Sequence, residues 1–403
     1  MPRESTPRTI ERAWVEVDLS ALLRNARAVA AHTQKPIIPM VKADAYGLGA
    51  VAVTHALETL EPLAYGVSSL SEAEELRSAG IMRPIILFTP SLPAGTVAWP
   101  ADDLKRLIAA RVTPTFGDAA QIRAWGASTK NAAWHLAVDT GMHRAGVNFD
   151  AGAASGTTTE SAALDAVLTA AAEHPPEGVF THFHSAELDN GSMEQQEERF
   201  RAVLSRLPQR PTCVHAENSA GAVRRSPSEW DAVRPGVFLY GVGSWRGAPA
   251  GGKEVAAWHT DSNQRTGLSP APVASLRARI LEIRTVQPGE GVSYDVTWRA
   301  GRASRIATVA CGYADGLRRQ LGNRAHAIVR ERRVPIVGVV TMDMAMLDVT
   351  DIGAELGDVA TFLGRSETDT LTVEDVAEAG GISPYELLTG LRQRLPRLYK
   401  GAI

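Results

Sequence analysis

Residues 37–49, IIPMVKADAYGLG, set a short apolar run (Ile37, Ile38, Met40, Val41) against Lys42, Tyr46 and two glycines. A run of this length and content reads as a buried strand. A lysine held at the end of such a strand is poorly solvated, which lowers its pKa and makes the free amine available for a Schiff base or as a base. Taken alone, Lys42 reads more readily as a lysine snorkelling from a strand end. Gly47 and Gly49 then simply permit positive φ where strand passes to helix.

The same rhythm recurs along the chain. Further apolar runs stand at 64–69, 84–89, 112–116, 134–139, 178–183, 212–217 and 233–241, eight with the first, and helical apolar spacing fills the gaps. Eight βα units in about 200 residues predict a closed parallel barrel more than an open doubly wound sheet. The rhythm breaks at 244–270, a Gly-, Pro- and Ser-rich stretch that reads as a linker or surface loop. After it, β-branched and alternating runs at 278–286, 304–312, 325–340 and 344–350 lack intervening helices and predict an antiparallel β domain, with a short helix over 373–379. The expected fold is therefore α/β: a (β/α)8 TIM-type barrel over 18–243, then a mainly antiparallel β domain over 271–403 that also takes an N-terminal strand at 9–17.

Composition narrows the function. Over 403 residues, 42 basic against 45 acidic side chains leave a formal charge of −3, which argues against nucleic acid or an anionic membrane as partner. Two cysteines, Cys213 and Cys311, build neither a disulfide framework nor a metal site. The N-terminal residues carry no apolar secretion signal and no stretch approaches membrane-spanning length, so a cytoplasmic protein is expected.

Barrel enzymes carry their chemistry at the C-terminal ends of the strands. Those ends bring Lys42, the 139–144 segment, His182, Asn218 with Ser219, and Arg234-Pro235-Gly236 to one rim. Singly, each has a plain alternative: a core histidine, a salt-bridge arginine, a turn glycine. Together, a desolvated lysine, hydroxyls of Tyr46 and Ser219 beside Gly236 for a phosphate, and a flat histidine neighbour describe a pyridoxal phosphate site.

VKADAYG (41–47), DTGMHRAG (139–146), FTHF (180–183), ENSAG (217–221), RPGVFLYG (234–241), GEGVSYD (289–295), GYADGL (312–317) and TMD (341–343), in this order, resemble the bacterial alanine racemases, fold-type III pyridoxal-phosphate enzymes with a barrel and a β domain. The likeness runs from residue 14 to residue 400. It implies that Lys42 holds pyridoxal 5'-phosphate covalently and acts as one of two bases. Tyr294, reaching over from a second subunit of a homodimer, would be the other. It further implies that Tyr46, Ser219, Gly236, Val237 and Tyr385 hold the phosphate and that Asn218 also binds the cofactor, with Arg234 on the pyridine nitrogen and His182 against the ring. Arg144 and the Met342 backbone would bind the carboxylate of an amino-acid substrate, with Asp343 and Tyr313 nearby. Inversion at Cα needs acid/base groups on opposite faces, each worth ~10²–10⁴-fold. Related barrel decarboxylases carry glutamate where this chain has Arg234, which counts against decarboxylation.

Some positions depart from the family pattern. Ala137 stands where many members carry a lysine, often carbamylated, that orients the carboxylate-binding arginine. Thr341, Val339, Glu187 and His184 alter the approach to the site. One methylene is discriminated by only ~1–3 kcal/mol, so serine or a broader amino-acid set is the alternative to alanine. A decarboxylase, an aldolase or a non-catalytic pyridoxal-phosphate carrier is a more distant one.

Overall fold

The computed structural model describes residues 11–95, 97–130, 132–149, 158–243 and 267–401. The start of the expected N-terminal strand and most of the expected linker lie outside the described residues.

Six parallel strands, Tyr65–Val67, Ile85–Leu87, Val112–Phe116, His135–Asp139, Gly178–Phe180 and Cys213–His215, pair in that order. Two further segments complete the ring. Residues 231–234 lie along the Cys213–His215 strand (Asp231 N to Val214 O, 2.8 Å; Arg234 N to Glu217 O, 2.8 Å). Residues 37–41 bridge Val233 on one side and Gly66 on the other (Ile38 N to Val233 O, 2.8 Å; Val41 N to Gly66 O, 2.9 Å). All eight expected positions thus contribute to a closed parallel barrel; most of their apolar side chains join the main core, while Ile38, Ala64, Ile86, Cys213 and Ala232 form a separate small cluster.

The expected runs overshoot at the mouth of the barrel. The first segment, expected over 37–43, ends at Val41, and the last gives way after Pro235 to a 3-10 turn at Val237–Tyr240. Both stop early because the backbone there turns to face the cavity.

The second layer is a nine-stranded sheet. Its long central strand, Ala274–Val286, pairs antiparallel with Ala13–Asp18, Ser304–Val309 and Val359–Arg365. Only Arg397–Lys400 joins Ala13–Asp18 in parallel. The helix expected at 373–379 is Val373–Gly380, started by a Thr372–Asp375 capping box. The two layers interlock where Asn25 of the first barrel helix, Leu19–Thr33, bonds both Leu239 O (3.1 Å) and Ala271 O (2.9 Å). No helix among the described residues is long and apolar enough to cross a membrane.

Candidate active site

At the C-terminal ends of the barrel strands lies a cavity of about 720 Å³. Lys42, Tyr46, Arg144, His182, Asn218, Ser219, Arg234, Gly236, Val237 and Tyr385 all line it.

The sequence places positive φ at Gly47 and Gly49, where strand passes to helix, but the backbone enters that region four residues earlier. Ala43, Asp44, Ala45 and Tyr46 all have φ between 50° and 57° with positive ψ, one left-handed turn. Such geometry costs L-residues roughly 1–2 kcal/mol each, or roughly 4–8 kcal/mol for four. The surroundings hold it in place. Glu72, whose other oxygen completes the capping box of the Leu70–Ser78 helix, accepts from Ala43 N at 2.7 Å. Asp44 Oδ1 accepts from Ala50 N at 2.7 Å, and Arg397 Nη2 donates to Gly47 O at 2.8 Å. Gly47, at φ +85°, leaves no room for a Cβ, which would fall 2.6 Å from Leu388 O. The turn brings Lys42 and the Tyr46 ring to the same cavity.

Burial, reinforced by Arg144 and opposed by Glu72, pushes the Lys42 ammonium pKa down, which favours the free amine. Tyr46 stacks on Tyr240 with ring centroids 4.6 Å apart, and burial drives its hydroxyl pKa up, so it stays protonated as a hydrogen-bond donor. The Tyr46 hydroxyl comes so close to Gly236 that a Cβ there would lie 2.4 Å from it. Ser219 Oγ accepts from Gly236 N at 2.8 Å and Phe238 N at 3.3 Å. Asn218 caps the Ser219–Arg224 helix through Gly221 N (3.0 Å). The Tyr46 and Ser219 hydroxyls therefore converge at Gly236, whose missing Cβ makes room for the Tyr46 hydroxyl.

Arg234, 3% exposed, packs against the Phe88 and Phe180 rings, 5.7 and 5.4 Å from their centroids. Its Nη1 donates to His215 Nδ1 and His215 O, both at 2.7 Å, and its Nη2 to Thr181 O (2.7 Å) and Ala216 O (2.9 Å). Those four bonds leave the Nε–H for the cavity. Burial brings the guanidinium pKa down to about 9, still protonated near neutrality. His182 Nδ1 is 3.5 Å from Nη2. Burial, then the charges of Arg234, Arg144 and Lys42, hold the His182 pKa well below the usual range, so the ring is neutral.

Arg144 stands at the rim on a loop shaped by Asp139, whose Oδ1 accepts from Gly141 N (2.9 Å) and His143 N (3.1 Å). Ala137 lines the cavity and cannot orient the guanidinium, and among the described residues no side chain hydrogen-bonds it.

Tyr294, Tyr313, Met342 and Asp343 do not line this cavity. They form a second cluster on the β domain. Tyr313 N bonds Thr341 O (2.9 Å) and Ala314 N bonds Met342 O (3.0 Å), while Ser293 Oγ bonds Val339 O (2.7 Å), placing the Tyr294 loop beside them. Arg394 clamps the cluster by bonding both buried Asp315 and Asp343, each at 2.7 Å. Tyr294 is 70% exposed and Met342 53%.

Sequence reasoning missed Glu217. It is fully buried, neither carboxylate oxygen has a well-formed hydrogen bond, and burial raises its pKa to about 7, with Ser228 opposing and Glu197 adding to the shift. An acid between His215 and the Asn218 cap was the available signal.

The alanine racemase N-terminal domain family model matches residues 17–244, and the C-terminal domain model matches residues 273–399. An alanine racemase from Sorangium cellulosum is 36% identical, covering 96% of this chain and 98% of that one. The solved alanine racemase from Bacillus anthracis with bound L-Ala-P superposes with a TM-score of 0.81 at 30% identity, covering 98% and 96% of the two chains. That from Bartonella henselae, with covalently bound pyridoxal phosphate, gives 0.78 at 26% identity over 96% and 99%.

Proposed function

The chain belongs to the alanine racemase family, and from that premise we propose that it is an isomerase interconverting L- and D-alanine with pyridoxal 5'-phosphate. The observation that carries this reading is a poorly solvated Lys42, held on a strained and braced turn, in one cavity with an Arg234 that has a single N–H to spare.

The residues present fit the cofactor. Tyr46, Ser219, Gly236, Val237 and Tyr385, with Asn218 capping behind them, would hold a phosphate where hydroxyls and backbone N–H groups converge. Arg234 would donate to the ring nitrogen without surrendering its proton, because an arginine at about 9 stays charged. Neutral His182 would lie against the ring, and Lys42 would anchor the cofactor. Bound there, the cofactor supplies an electron-withdrawing conjugated ring that acidifies the Cα–H of the amino acid.

Lys42 then moves a proton at Cα on one face. Tyr294 of a second copy moves one on the other, since inversion needs two opposed acid/base groups and this chain's own Tyr294 stands outside the cavity. Arg144 pairs with the substrate carboxylate, with the Met342 backbone, Asp343 and Tyr313 of the second copy closing the site. We therefore read the active unit as a homodimer built from the 18–243 barrel of one chain and the 271–403 β domain of the other. Two buried, unpaired thiols suit a reducing cytoplasm.

Chiral analysis of alanine and serine incubated with the purified protein and pyridoxal 5'-phosphate tests this reading. Equal D and L alanine from either enantiomer is the expected result. Higher kcat/KM on serine would shift the substrate, and release of carbon dioxide or glycine would reveal a different reaction.

A further inference from the structure

A file of polar groups runs from the cavity into the barrel interior. Arg234 Nη1 meets His215 Nδ1 at 2.7 Å, and His215 Nε2 meets His135 Nδ1 at 2.9 Å. His135 Nε2 in turn faces the Glu177 carboxylate at 4.0 Å, the outer end of the file. His215 is fully buried and His135 is 3% exposed. Space for the second ring comes from Gly178, where a Cβ would fall 2.4 Å from the imidazole.

The proton positions follow from the donor inventory. A guanidinium only donates, so His215 Nδ1 accepts from it and the His215 proton sits on Nε2. That proton needs an acceptor in a dry core, and His135 Nδ1 is the atom facing it, which places the His135 proton on Nε2 toward Glu177. Burial and the nearby arginine hold both rings neutral, His135 down to about 3, so neither becomes a second donor at this contact.

We propose that His135 is a positioning residue for the racemisation: by accepting the His215 Nε2 proton it fixes the tautomer that receives Arg234, and so keeps the guanidinium Nε–H available to the cavity. This rests on the function proposed above for Arg234. Without an acceptor, the His215 Nε2–H is left unpaired in a dry core, and the ring turns to find a partner, carrying away the Nδ1 acceptor that holds Arg234.

The test is nitrogen-15 NMR of the His215 imidazole in histidine-labelled holoenzyme, read beside kinetics of His135→Leu and His135→Gln. A proton on Nε2 in the wild type is expected. His135→Leu should lose roughly 10–100-fold in kcat with KM for alanine little changed, the size seen when a partner behind a working ligand is removed. It should also shift the absorbance of the bound cofactor. His135→Gln, whose amide oxygen can accept the same proton, should recover most of the loss. A wild-type Nδ1 proton, or equal kcat in the two variants, would overturn the proposal. Wild-type protein that does not racemise, yet carries the Nε2 proton, would instead sink the proposed function and leave the tautomer assignment standing.

Discussion

Lys42 and Tyr294 stand in opposite surroundings. Around Lys42 the backbone is driven into a left-handed turn, pinned by Glu72, Asp44 and Arg397, and closed over by a cavity. Around Tyr294 the side chain is 70% exposed and its loop does not line the barrel cavity. The first region is finished within one chain. The second is braced from behind, by Ser293 on Val339 and by the Arg394 clamp on Asp315 and Asp343, and left open in front. Strain that the surroundings over-determine marks a site already assembled, whereas an exposed tyrosine on a supported loop is what the proposed shared site needs from a second copy.

The largest expected effects separate the two regions by activity and stability together. Lys42→Ala and Tyr294→Phe should each lower kcat by ~10²–10⁴-fold or more. Tyr294→Phe should leave stability within about 0.5 kcal/mol, as an exposed substitution does. A thermal melt showing strong destabilisation by Tyr294→Phe would remove the contrast.

Gly47→Ala tests the bracing of the turn. A Cβ at φ +85° and 2.6 Å from Leu388 O should cost about 2–5 kcal/mol in urea unfolding. A neutral result would mean the turn relaxes freely.

Glu217 gives the smallest effect, and its sign is fixed. Its carboxyl has an ordinary value of 4.5 and is raised to about 7 in the folded protein. The folded state therefore binds more protons between these values, and stability falls as pH rises from about 4.5 to 7, then levels off. The loss is about 1–3 kcal/mol. Glu217→Gln should flatten that part of the stability curve, and an unchanged slope would show that another group carries it.

Much of the barrel was legible because its strands are short apolar runs, several closed by a polar residue, and the rim residues lined up at those ends. The left-handed turn was not, because Ala43, Asp44 and Ala45 carry no preference for it. It is imposed by Glu72, Leu388 and Arg397, which lie far along the chain. His135 and His215 were visible as polar residues in apolar runs, but their pairing depends on strand register across the barrel. Ala137 could be read as a departure, and among the described residues no side chain takes the place of the missing lysine to orient Arg144.

The account centres on a site shared between two copies, and mixing two inactive proteins tests it most directly. Lys42→Ala supplies an intact Tyr294 face, and Tyr294→Phe supplies an intact Lys42 cavity. Under conditions that exchange subunits, random hybrids of a two-fold dimer should recover about a quarter of the wild-type activity. No recovery, with exchange verified independently, would contradict the shared site.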